Sequence, residues 1–147
     1  MLGIKRFDLI EKLAAQAVVP DAVIAEIRAG EADDPSASAG LSFAQPRRIS
    51  NISLPDSVAH WDLGSGESQV IVNALQGSNW AVLDDRAARR CAARHQVPVV
   101  GSIGIVLRAK RSGLVPAAAP VIAQLKTAGM YASDEFVRAL LASIGEP

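Results

Sequence analysis

Asp84 and Asp85 stand side by side at the end of a short apolar run, AVL, and an arginine-rich helical segment, RAARRCAARH, follows them directly. One aspartate there is expected, because Asp caps helix N-termini well. Capping accounts for one carboxylate and leaves the other over. Two adjacent acids at a strand end suit a hard cation such as Mg²⁺, which takes oxygen ligands and keeps several waters. Two glutamates extend the set. Glu67 falls in the first turn of GESQVIVNALQG, where the helix dipole favours negative charge, and precedes Val70 and Ile71 by three and four residues, on the edge of their stripe. That place suits a helix-end stabiliser and a site residue equally. Glu26, three residues after Val23 and beside the stripe of Ile24 and Ile27, reads alone as an ordinary helix-surface glutamate. Brought together, these acids would repel unless a metal or a proton compensates them. With one or two divalent ions such a cluster can activate water and hold a phosphodiester for in-line attack.

The distribution of charge points the same way. Net charge is zero over 147 residues, yet residues 1–85 carry 6 Lys/Arg against 12 Asp/Glu, and residues 86–147 carry 9 against 3. From Arg86 to Arg111 there are seven basic residues and no acid. A local basic zone attracts phosphate even on a neutral protein; the plainer reading is a solvated helix face. Arg86, Arg89, Arg90 and Arg108 are the candidates for contact with a nucleic-acid backbone.

Other chemistries lack their residues. The sequence has no GxxxxGK[ST] phosphate loop, GSIG is too short for a dinucleotide fingerprint, and no GxSxG is present. His60 and His95 have no nucleophile beside them, and His95 ends a helix, where an imidazolium is favoured. The single cysteine, Cys91, forms no intrachain disulfide and reads as a small buried hydrophobe. A receiver-like phosphoacceptor domain would need a lysine after a later strand, where this chain has Ser102. No apolar run approaches the roughly 20 residues of a membrane span, and the N-terminus lacks a signal-peptide core. A reducing cytosol is the expected compartment.

The elements that must position these residues alternate. Residues 6–15 predict a helix, AVVP at 17–20 a buried strand, and DAVIAEIRAG at 21–30 a helix with Asp21 placed to cap and Gly30 to terminate. Residues 31–50, rich in Pro, Gly and Ser, predict a flexible loop, and ISNISL at 49–54 a short strand. The segment 66–77 predicts a helix with Val70, Ile71, Ala74 and Leu75 inward. NWAVLDD and VPVVG read as strands on either side of the arginine helix. Three helices close the chain, the first ended by Gly113, the second by Gly129, and the last capped by Ser133. Short apolar strands alternating with helices argue an α/β domain with a parallel sheet covered on both faces. In such folds chemistry collects beyond the carboxyl ends of the strands, where Asp84 and Asp85 lie.

The segments AVVPDAVIAEI, GESQVIVNAL, AVLDDRAARRCAARHQVPVVGSIGIVLRAKRSGLVP and YASDEF together resemble the PIN-domain superfamily, most closely a branch of small prokaryotic proteins related to VapC-type toxins. The resemblance runs from about residue 2 to residue 145, and Val82 to Pro116 is its most specific part. It implies a single domain with a three-layer α/β/α fold around a central parallel sheet. It also implies a ribonuclease dependent on Mg²⁺ or Mn²⁺, paired with an antitoxin and often dimeric. Glu26, Glu67, Asp84 and Asp85 match the family's catalytic acids, with Glu67, Asp84 and Asp85 as metal ligands. A second acid often found two residues after the glutamate is Gln69 here, which weakens the metal site or moves its weight to Glu67. The opening MLGIKRFDLI resembles the interior of the family's first helix, so the first strand and its aspartate have no counterpart. That strand lies between those formed by AVVP and AVLDD, and its loss removes ladder partners on both sides. The resemblance therefore implies a truncated ribonuclease, or an impaired module that binds an antitoxin or RNA without turnover.

Overall fold

A computed structural model describes residues 5–147; the part of the resemblance carried by residues 1–4 lies outside them. The chain divides into two compact units, residues 16–101 and residues 1–15 with 102–147.

The first unit holds every candidate site residue except Arg108. Its strands are two residues each: β1 (Val19–Pro20), β2 (Arg48–Ile49), β3 (Ala81–Val82) and β4 (Val99–Val100). They pair as two separate parallel ladders, β1 with β2 and β3 with β4. The parallel α/β expectation holds, but the single central sheet is divided in two. Among the described residues β1 and β3 each have one strand neighbour. In the second ladder Ala81 N–H donates to Pro98 C=O at 2.8 Å and Leu83 N–H to Val100 C=O at 3.1 Å. Alternate residues of a strand present their backbone groups to opposite sides, so Val82 directs its own away from β4; its side chain is 43% exposed.

Between and around the strands lie α2 (Asp21–Ala29), α3 (Ala37–Ala44), the short α4 (Asp56–Ala59), α5 (Ser65–Gly77) and α6 (Arg86–Arg94). Helix α5 packs against α2, α6, β1 and β3. Its buried side chains are Ser68, Gln69, Ile71, Val72 and Ala74. Leu75, expected inside, is exposed, and Val72 takes its place in the core. That core joins Val58, Ile71, Val72, Leu83, Ala88, Cys91 and Val97. It is aliphatic, and Cys91 is fully buried within it.

Residues 31–50 are not an unstructured loop. They contain α3, a 3-10 turn over Gln45–Arg47, and β2. Asp34 Oδ1 accepts hydrogen bonds from Ser36 N–H (2.8 Å) and Ser36 Oγ–H (2.5 Å). Buried Ala37, Gly40 and Ala44 then let α3 pack on α2. Nor does Asp21 cap α2. It is the first helical residue, Pro20 holds the cap position, and the side chain pairs with Arg48 instead. Asn51 Oδ1 supplies the missing acceptor, taking Ala22 N–H at 2.9 Å.

The second unit contains α1 (Phe7–Leu13), α7 (Ser102–Arg111), α8 (Ala119–Thr127) and α9 (Asp134–Ala142). α1 and α8 both pack on α7. Gly113 and Gly129 adopt φ of +73° and +103°, which ends α7 and α8 where the sequence predicts. Ser133 caps α9 by accepting Phe136 N–H at 3.2 Å. Glu146 reaches back to α8, accepting Ala118 N–H at 2.7 Å and Ala119 N–H at 3.0 Å. Those contacts, chiefly the one from Ala118, hold its carboxyl below the ordinary value.

Candidate active site

The two glutamates converge on three residues, Gly64-Ser65-Gly66, at the start of α5. Gly64 holds the N-cap position and Glu67 the third helical position. Glu67 Oε2 turns back to accept Gly64 N–H at 3.0 Å, one half of a capping box. Glu26, 40 residues earlier on α2, accepts Gly66 N–H through Oε1 at 2.8 Å. The glycines make this approach possible. A Cβ at Gly64 would lie 2.6 Å from Glu67 Oε2 and 3.7 Å from Glu26 Oε1, and one at Gly66 would overlap Glu26 Oε2. Both carboxylates thus sit at the positive end of the α5 dipole. Each uses one oxygen on a backbone N–H; among the described residues the second oxygen of each has no hydrogen-bond partner.

The aspartates are placed differently. Asp85 is the N-cap of α6, and its Oδ2 accepts Ala88 N–H at 2.8 Å. Asp84 follows Leu83, the last residue on the β4 ladder, and is exposed. Arg89 reaches the same strand end from α6. Its Nη1 donates to Leu83 C=O at 3.1 Å. The point a Gly101 Cβ would occupy lies 2.7 Å from Arg89 Nη1 and 3.0 Å from Asp84 Oδ1. Both groups therefore border the buried backbone of Gly101, where a side chain would intrude on them. Arg86 and Arg90 lie exposed on the same helix, whereas Arg108 is on α7 in the other unit, exposed.

Gln69 does not face a cation. It is buried, and its amide clamps the backbone of Ile52: Oε1 accepts Ile52 N–H at 2.9 Å and Nε2 donates to Ile52 C=O at 2.7 Å. An acid could make only the first of these bonds. The structural duty of this position was not evident in the sequence, and neither was the close approach at Gly64, Gly66 and Gly101. A glycine next to a first-turn glutamate is the local signal that could have suggested the approach at Gly66.

The donor set fits a divalent cation at the glutamate pair. Mg²⁺ is commonly held by one or two carboxylates, with waters and substrate phosphate completing its shell. Two like charges converging with an open oxygen each are relieved by such an ion. A larger cluster is not formed: among the described residues no three of His, Cys, Asp and Glu come together as a metal-binding group. The structure pairs Glu67 with Glu26 and engages Asp84 and Asp85 in contacts of their own. Nor is any helix of the described residues long and apolar enough to cross a membrane.

No curated protein and no solved structure gives a significant match to the chain. A family model described as DUF3368, a PIN domain, matches residues 2–146. The alternation of helices with short parallel strands agrees with it. This chain belongs to the PIN-domain family, and its fold is of nuclease type.

Proposed function

We propose that this chain is a metal-dependent ribonuclease of the toxin-antitoxin kind, hydrolysing RNA phosphodiesters with a carboxylate-bound Mg²⁺ or Mn²⁺. The observation that carries the reading is the convergence of Glu26 and Glu67 on Gly64–Gly66 from helices 40 residues apart. In that reading the ion, when bound, activates water and neutralises phosphate charge. Glu26 and Glu67 hold it through the oxygens they do not commit to backbone. The α5 N-terminus adds its dipole toward anionic substrate. Asp84 and Asp85 complete the acid set expected from the family, and Arg86, Arg89, Arg90 and Arg108 contact the RNA backbone. A cognate antitoxin, a homodimer and a cytoplasmic location belong to the same proposal; PIN domains commonly bind RNA and often pair with antitoxins.

The test is cleavage of single-stranded RNA by the purified chain with Mn²⁺ and with EDTA. Metal-stimulated cleavage abolished by Glu26→Gln/Glu67→Gln, and strongly reduced by Asp84→Asn, is expected. Both glutamines keep an acceptor for Gly66 and Gly64, so the fold is retained while the charge is lost. Cleavage unchanged in the glutamate double variant would sink the assignment. A second reading, RNA or antitoxin binding without turnover, is favoured by one observation: Asp85 caps α6 and Asp84 has an interaction within the protein, so two of the four acids are engaged by the protein itself. RNA binding that persists in EDTA with no cleavage under any metal would support it.

A further inference from the structure

The exposed surface of α6 is built from two residue types. Arg86, Ala87, Arg89, Arg90, Ala93 and Arg94 face solvent, while Ala88, Cys91 and Ala92 are buried. A turn takes about 3.6 residues, so Arg86, Arg90 and Arg94, each four after the last, form one line on the side opposite the buried residues. Ala87 and Ala93 flank that line, and no larger side chain of the helix stands between the guanidiniums. Arg89 lies off the line, and its Nη1 is given to Leu83 C=O. Among the described residues Arg86, Arg90 and Arg94 enter no ion pair and no side-chain hydrogen bond.

This line works against the helix that carries it. Like charges four residues apart are destabilising, and Arg86–Arg90 and Arg90–Arg94 are two such pairs. The dipole disfavours a cation in the first turn, where Arg86 stands and no acid is present; Arg94, in the last turn, it favours. A solvated face arranged for stability would interleave acids with the arginines. A bound polyanion relieves the repulsion and supplies the missing charge. A protein partner needs apolar or aromatic anchors within a polar rim, and this face presents none. A nucleic-acid backbone needs only regularly spaced cations. Four residues rise about 6 Å along a helix, so the three guanidiniums span about 12 Å, a step comparable to that between successive phosphates of one strand. We propose that Arg86, Arg90 and Arg94 form a linear track for three successive phosphates of single-stranded RNA, each bound through the planar guanidinium fork. Arg94 thereby joins the RNA-contacting residues. The proposal rests on the reading that RNA is the ligand, but on neither metal binding nor cleavage.

The experiment measures binding of a labelled single-stranded RNA to the full chain, in EDTA, over a series of salt concentrations. Log affinity falls with log salt by roughly 0.7 for each phosphate neutralised on a single strand. Arg86→Gln, Arg90→Gln and Arg94→Gln should each make the slope shallower by about 0.7, and the triple variant by about 2. Lysine at the same positions keeps the charge and should keep the slope. Arg111→Gln removes the same charge from the same acid-free segment, but on α7, and should leave the slope unchanged. Thermal melts of Arg86→Gln and Arg90→Gln should match or exceed wild type, because repulsion is removed; a purely structural role would lower them. A slope unmoved by Arg94→Gln, an equal loss from Arg111→Gln, or no RNA binding by wild type would overturn the track. So would equally tight binding of a polyglutamate peptide of matched charge, which would point to an acidic protein partner. If the slopes change as stated while no metal stimulates cleavage, the ribonuclease reading fails and the track stands. Metal-stimulated cleavage with unmoved slopes keeps that reading and removes the track.

Discussion

Replacing Gly66 by alanine tests the geometry of the glutamate pair through a change of sign. Gly66 lies within α5 and does not adopt a positive φ. An ordinary Gly→Ala substitution there would stabilise by roughly 0.4–1 kcal/mol by restricting the unfolded chain. In this structure the new methyl would overlap Glu26 Oε2 and displace the carboxylate from Gly66 N–H. A hydrogen bond to a charged group contributes about 1.5–3 kcal/mol, and the exposure of Glu26 places this one at the low end. Loss of about 1.5 kcal/mol against a gain of at most about 1 kcal/mol leaves the variant less stable by roughly 0.5–1 kcal/mol. In a Glu26→Ala background the bond is already absent, and Gly66→Ala should become stabilising by the ordinary amount. Urea denaturation followed by circular dichroism measures all four corners of the cycle. If Gly66→Ala stabilises the protein equally with and without Glu26, the two residues are not in contact and the reasoning is refuted.

Four further outcomes follow from the geometry. Asp85→Ala should cost about 1 kcal/mol through loss of the α6 cap, and Asp85→Asn much less; thermal melts of the two variants compare them. Gln69→Glu should not repair a metal site. It removes the donor to Ile52 C=O and sets a carboxylate against it, costing about 1–3 kcal/mol in urea unfolding. Glu146 has its carboxyl lowered by Ala118 and Ala119 N–H, so its contribution is complete above the ordinary value of 4.5 and is lost as pH falls below it toward the lowered one. Stability measured against pH should therefore fall less steeply on the acid side in Glu146→Gln. The Cys91 thiol is buried and pushed above its ordinary value, so a disulfide reagent should label it only as fast as the chain opens, and equally fast labelling of folded and denatured protein would contradict its placement.

What the sequence made legible was chiefly local. The alternation of strands and helices, the Ser133 cap, the glycine stops at 113 and 129, and the expectation that one of two aspartates caps α6 all depend on residues within a turn of one another. Asp85 is that cap. What it hid depends on partners far away in the chain. The contact of Glu26 with Gly66 spans 40 residues, and the clamp of Gln69 on Ile52 spans 17. Helix α3 was concealed because Ala, Ser and Gly carry little periodic hydrophobic signal; packing against α2 and the Asp34 contacts to Ser36 stabilise it. Asp21 and Asn51 exchanged expected roles because Arg48 on the neighbouring strand takes the aspartate, leaving the α2 N–H groups to an asparagine from the next segment. The sheet divides for a similar reason. Strand pairing is long-range, and alternation alone does not say which edges meet.

The most direct test of the central claim is calorimetric titration of Mn²⁺ into the 147-residue chain, with circular dichroism to verify the fold. The account predicts saturable binding to wild type that is lost in Glu26→Gln/Glu67→Gln, the fold remaining intact. A folded wild type that binds no ion, or binding that survives in the double variant, would contradict it.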